Sequence, residues 1–287
     1  MSRSPVQFRA AETAEEACAL LAEHEDARAV AGGTALAILL RQGLVRPELL
    51  VGVGSIPGLR DITANGDLRL GAAVRLRAAE HDPAVRAGWP VLAETLSAVA
   101  TPRIRNMATV GGGAAHADPA QDPPATLVAL DARMHIAGPT GERRLPAAEF
   151  FVDYYETAIQ PGEILLAIEV PPLPPGAGAV FLKYRPRSIE DYATVSAAAL
   201  VRLDAAGACT EARLVLGAVG STPVRVDVSS ALVGQPITEA RAREAAELAR
   251  SLVDPNEDVR GSAAYKREMA VVFGRRAILA AAARASR

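Results

Sequence analysis

At 287 residues, half of them hydrophobic and 22% charged, the chain has apolar material for a sizeable core and is expected to form two domains, the first bipartite. A net charge of −2 excludes the basic footprint of a nucleic-acid binder. Cys18 and Cys209 belong to no C-x-x-C pair, which argues against a zinc or iron–sulfur site in this chain and suits a reducing compartment.

Residues 1–5 lack an apolar core, so no secretory leader is expected, and Arg275 and Arg276 break the longest apolar candidate for a membrane span. A cytoplasmic protein without an integral membrane segment is the expectation. Residues 6–9 read as a first strand. Thr13 followed by Glu16 makes a capping box, and Ala17, Leu20 and Leu21 continue at helical spacing to about His24. Residues 27–31 form the next strand, Gly32-Gly33-Thr34 a turn, and a helix then runs toward Gly43. Residues 49–53 make a third strand, and this βαβαβ-like unit closes near Pro57. Gly52-Val53-Gly54 invites a dinucleotide fingerprint, but that motif needs a helix next. Ser55-Ile56-Pro57-Gly58 and a hairpin around Asn65-Gly66 follow instead, so no Rossmann site is expected.

Helices are expected over Leu76–His81 and residues 89–100, with residues 101–106 a loop. Pro123 and Pro124 open a helix that buries Leu127 and Leu130. Strands follow at 133–136, 138–144 and Ile164–Val170. Pro171 to Gly178, stiff and then flexible, reads as a domain linker. Beyond it come strands at 179–185, Val195–Leu203 and 212–219, then two long helices at about 239–252 and 262–283.

Two glycine stretches carry the chemical signal. In Thr109-Val110-Gly111-Gly112-Gly113-Ala114-Ala115-His116-Ala117-Asp118-Pro119-Ala120-Gln121-Asp122, three glycines in a row are costly to order and are not expected to serve packing. They offer backbone N–H donors for an anion, and Asp118 and Asp122 offer acceptors for sugar hydroxyls. A Gly-rich surface turn is the plainer alternative. In Val30-Ala31-Gly32-Gly33-Thr34-Ala35-Leu36 a strand, a glycine turn and a helix start aim amides and a helix dipole at an anion. Together they suggest a pyrophosphate gripped from two sides.

The pair, in this order and spacing, resembles the two FAD loops of the flavoprotein (medium) subunits of molybdenum hydroxylases, the group of aerobic carbon monoxide dehydrogenase and xanthine dehydrogenase. The resemblance runs the length of the chain. It implies an α+β fold: a bipartite, PCMH-type FAD-binding domain, made of a small βαβ-like subdomain (residues 1–57) and a larger α+β subdomain (58–172). A C-terminal three-stranded sheet with helices (179–287) follows. It also implies an oxidoreductase that passes electrons from [2Fe–2S] clusters through FAD to an external acceptor such as NAD, a quinone or oxygen. The clusters and the molybdenum cofactor belong to small and large partner subunits, in a dimer of heterotrimers.

Carried over residue by residue, the cofactor-binding candidates are Val30, Ala31, Gly32, Gly33, Thr34, Ala35, Leu36, Thr101, Thr109, Val110, Gly111, Gly112, Gly113, Asp118, Asp122, Lys183 and Tyr192, with Ile104 in second rank. The resemblance brings Lys183 to the flavin, where an ammonium stabilises the reduced ring; a solvated strand lysine is the alternative. Tyr192, in the 187–193 loop, is expected against the ring, or else as a packing residue. His116 has no partner at metal-ligand spacing. The first loop holds neither His nor Cys, so FAD is expected to bind non-covalently. Relatives usually carry Asn where this chain has Gly113, which removes a hydrogen bond worth ~1 kcal/mol, and Ser or Asp where it has Ala35. No acid, base or nucleophile constellation for substrate chemistry stands out. A stand-alone FAD oxidase or reductase, and a non-enzymatic nucleotide-binding assembly module, remain open as alternatives.

Overall fold

The computed structural model describes residues 6–188 and 191–285. The chain opens with β1 (Gln7–Ala10), α1 (Ala14–Glu23), β2 (Arg28–Val30), α2 (Thr34–Gln42) and β3 (Leu49–Gly52). Both crossovers return parallel, giving a sheet in the order β1-β3-β2. Local signals act where the sequence puts them. The Thr13 hydroxyl accepts from the Glu16 N–H at 3.1 Å. The Glu16 carboxylate reaches back to the N–H of Glu12, at 2.7 Å, one residue before the cap. Gly43, at φ 71°, ends α2 and returns its N–H to the carbonyls of Leu39 and Leu40.

The hairpin β4 (Ile62–Asn65) and β5 (Asp67–Gly71) turns at Gly66 (φ 88°). Six helices follow: α3 (Leu76–His81), α4 (Pro83–Gly88), α5 (Pro90–Ser97), α6 (Pro102–Arg105), α7 (Val110–His116) and α8 (Pro123–Ala129). Three of them correct the sequence reading. The separate helix α4 was not expected; Asp82 caps it by accepting from the N–H groups of Ala84 and Val85. The expected loop at 101–106 is a helical turn, capped by Thr101 with Pro102 in its first position. The central glycine run is the first half of α7, with Thr109 as its cap.

Next come β6 (Arg133–Gly138), β7 (Gly141–Pro146), α9 (Ala147–Phe150), the small hairpin β8 (Phe151–Asp153) and β9 (Glu156–Thr157), and β10 (Ile164–Val170). An antiparallel sheet forms in the order β4-β5-β10-β6-β7. Its central strand, β10, is buried on both faces. Ile164 and Leu166 of β10 pack with α1, while Leu165, Ile168 and Val170 join the core under α3, α5 and α8.

The remaining elements are β11 (Ala177–Tyr184), β12 (Val195–Leu203), β13 (Cys209–Gly217), β14 (Val224–Val226), α10 (Ser229–Leu232), α11 (Glu239–Glu247), a 3₁₀ turn (Leu248–Ser251) and α12 (Ala263–Ala285). The sheet runs β11-β12-β13-β14, so it has a fourth strand beyond the three expected; at three residues β14 is too short to show a period. Alternation in β12 sets its layers. Val195, Ala197, Ala199 and Val201 face α11 and α12, whereas Ala198 and Leu200 enter the same core as α8. The proline-rich segment lies against that core: Trp89 Nε1 donates to the Pro171 carbonyl at 2.7 Å, and Leu173 packs there.

Candidate functional site

β2 delivers Val30 to the first glycine turn. Gly33 caps α2 at φ 68° without a side-chain hydrogen bond. Among the described residues, the amides of Gly32, Gly33, Thr34, Ala35 and Leu36 have no acceptor. Five successive free donors at the positive end of a helix make an anion site. Gly32 is required for a different reason. A Cβ there would stand 2.3 Å from the Met107 carbonyl oxygen, so only glycine lets this turn close against the segment that leads to the second run.

The second run behaves differently from the expectation. The amides of Val110, Gly111, Gly112 and Gly113 are engaged with Val74 O (2.9 Å), Ala72 O (2.9 Å), Thr109 Oγ1 (3.1 Å) and Thr109 O (3.0 Å). These donors are therefore not free for an anion. Gly111 serves packing after all, because a Cβ on it would lie 2.4 Å from the Ala72 Cβ. A cleft of about 70 Å³ separates the two stretches, lined by Ala31, Gly32, Arg60, Arg75, Met107 and Thr109 among others. Sequence reasoning missed both arginines. The one signal was Gly54, which also lines the cleft and belongs to the rejected G-x-G. Guanidinium groups beside bare amides suit a phosphate. A larger cavity, about 630 Å³, lies under Pro171–Pro174 and touches neither glycine stretch.

Beyond α7, Asp122 precedes α8 and is buried. Its Oδ2 accepts from Lys183 Nζ at 2.7 Å, and its Oδ1 has no partner. Burial pushes this carboxyl up to about 6, against the opposing charges of Lys183 and Arg185. Lys183, delivered by β11, also donates to the Ala98 carbonyl at 3.0 Å. The lysine expected at a flavin edge is thus closed onto Asp122. Arg105, likewise unforeseen, holds the next two carbonyls, those of Val99 and Ala100 (2.8 and 3.1 Å), and pairs with buried Glu80 at 2.9 Å. Two buried cations therefore grip three successive carbonyls around Ala100, whose φ is 41°. They set the start of α6, where the Thr101 hydroxyl accepts from the Ile104 N–H at 3.2 Å and the Ile104 side chain stays exposed.

Asp118 forms a turn at the end of α7, its Oδ1 accepting from the Ala120 N–H at 2.9 Å. Tyr192 stands half exposed with the Arg260 guanidinium 5.8 Å from its ring centre. Burial, then the charges of Asp118, Tyr155 and Asp122, raises its hydroxyl pKa, so the structure gathers Asp118, Asp122 and Tyr192 at one place. Ile189 and Glu190 of the same loop lie outside the described residues. His116 rests against Tyr155, ring centres 5.3 Å apart, and burial lowers its pKa while Asp118 opposes the shift.

A family model described as the FAD binding domain in molybdopterin dehydrogenase matches residues 4–173, and one described as the CO dehydrogenase flavoprotein C-terminal domain matches residues 180–281. The chain is 38% identical to the carbon monoxide dehydrogenase medium chain of Afipia carboxidovorans, over 94% of each chain. It is 36% identical to the 6-hydroxypseudooxynicotine dehydrogenase complex subunit alpha of Paenarthrobacter nicotinovorans, covering 90% of this chain and 88% of that one. A chain of the carbon monoxide dehydrogenase of Hydrogenophaga pseudoflava superposes with a TM-score of 0.94 at 34% identity, covering 99% of both. Among the described residues, no helix is long and apolar enough to cross a membrane.

Proposed function

The chain belongs to the FAD-binding flavoprotein subunits of the molybdenum hydroxylases, a family of oxidoreductases, and on that premise we propose that it is the electron-transfer subunit of such a complex. Its partners are a small subunit with [2Fe–2S] clusters and a large subunit with the molybdenum cofactor, arranged as a dimer of heterotrimers. FAD is held without a covalent bond. The observation that carries this reading is the run of five free amides, Gly32 to Leu36, which begins at a cleft edged by Arg60 and Arg75.

The donor set suits the parts of FAD. Amides and guanidinium groups match a pyrophosphate, and the unpartnered Oδ1 of Asp122 is an acceptor for a hydroxyl of the ribityl chain. Bare Gly112 and Gly113 let a ligand approach α7 closely. Lys183 neutralises Asp122 so that the buried carboxylate keeps its accepting form at neutral pH. Tyr192 and Arg260 present an aromatic and cationic edge beside Asp118. Bound there, FAD would accept electrons arriving singly from the clusters and release them to an external acceptor.

The test is reconstitution. Substrate is expected to bleach the flavin only when the loaded chain is joined to both partner subunits. A loaded chain that oxidises the complex's substrate alone, at the rate of the assembly, would instead make it a stand-alone oxidase.

A further inference from the structure

We propose that Tyr155 is a positioning residue for the cofactor site, setting the turn that carries Asp118 and Asp122; the inference rests on the FAD reading above. Tyr155 sits at the tip of the β8–β9 hairpin with φ 56°, a backbone region that bulky side chains avoid. Three consecutive residues at the end of α7 meet it. The His116 ring packs on its ring, the Ala117 carbonyl accepts its N–H at 3.1 Å, and, after burial, the Asp118 carboxylate lies close enough to raise the pKa of its hydroxyl. Ala117 is itself left-handed, at φ 49°. A conformation of this kind persists only where its surroundings fix it. Burial is not the cause, because Tyr155 is 58% exposed.

The held turn leads to the buried acid. Asp118 O accepts from the Gln121 N–H at 3.0 Å, and its Oδ1 accepts from Ala120. Asp122 comes next, with its open oxygen. The hairpin is anchored on its far side too. The Tyr154 hydroxyl accepts from Asn256 Nδ2 at 2.7 Å, and the Asn256 carbonyl accepts from buried Lys266 of α12, also at 2.7 Å. Tyr155 thus transmits the position of a fixed hairpin to the acids of the site.

The test is FAD titration of the full chain, followed by flavin fluorescence, beside the thermal midpoint of the cofactor-free protein. Asn tolerates left-handed backbone, so Tyr155→Asn should melt at or above wild type yet bind FAD about tenfold more weakly. Tyr155→Phe, which keeps the ring but not the hydroxyl, should lose about fivefold. In an Asp118→Asn background that second loss should vanish, which a general structural role would not produce. Wild-type affinity in Tyr155→Asn, or a midpoint that falls in step with affinity, overturns the positioning role alone. A wild-type chain that takes up no FAD, with or without partner subunits, overturns the underlying reading as well.

Discussion

Replacing Asp122 with Asn tests the balance of forces in the buried pair. Burial lifts this carboxyl from its ordinary 3.8 to about 6 even though Lys183 donates to it. Between those pH values the folded chain keeps a proton that the unfolded chain has released. The stability contributed by this group is therefore full at low pH and is lost as pH rises through about 6. A rise of that size corresponds to about 3 kcal/mol. Asn cannot titrate, so it is free of this loss. Unfolding the cofactor-free chain in urea at about pH 4 and about pH 7 should show the Asn variant gaining about 2 kcal/mol on wild type between the two, since at pH 4 part of the loss has already occurred. A flat difference, or one of opposite sign, would refute the reasoning, because the lysine would then outweigh burial. Lys183→Met in the same assay should cost about 3 kcal/mol or more near neutrality, since it strands a buried carboxylate.

Other substitutions test the remaining parts. Gly32→Ala places a Cβ 2.3 Å from the Met107 carbonyl oxygen and should part the two stretches, lowering FAD affinity at least about tenfold in a fluorescence titration. Gly111→Ala meets Ala72 backbone and side chain within 2.7 Å and should destabilise the cofactor-free fold by about 1–3 kcal/mol in urea unfolding. At Gly113 the nearest obstacle is the flexible end of Gln121, 3.1 Å away, so Gly113→Asn should fit and tighten FAD binding about fivefold in the same titration. Arg105→Leu leaves Glu80 with Arg77, at 3.2 Å, and releases two carbonyls, and should cost about 1–3 kcal/mol of thermal or urea stability.

Much of this fold is legible because its signals are local. The cap at Thr13, the stop at Gly43 and the Asn65-Gly66 turn all act within a few residues. The misreadings have tertiary causes. Three glycines are poor helix formers, and α7 exists because Thr109 caps it and Ala72 and Val74 accept its first amides. At α6 a local signal was present, Thr101 as cap before Pro102, and was passed over. In the site, the first glycine turn could be read from strand–turn–helix order alone. The grip of Lys183 on Asp122 could not, since 61 residues separate them and only the packing of α8 against β12, the sheet neighbour of β11, brings them together. Arg60, Arg75, Arg105 and Tyr155 stand in no motif; their roles come from where the loops meet.

The central claim is that this chain holds FAD non-covalently between its two glycine stretches. Its most direct test is the visible spectrum of the purified chain, before and after acid precipitation. Flavin bands that pass into the supernatant as FAD, and not FMN, are the expected result. A colourless protein that takes up no added FAD, even with its partner subunits, would contradict the account.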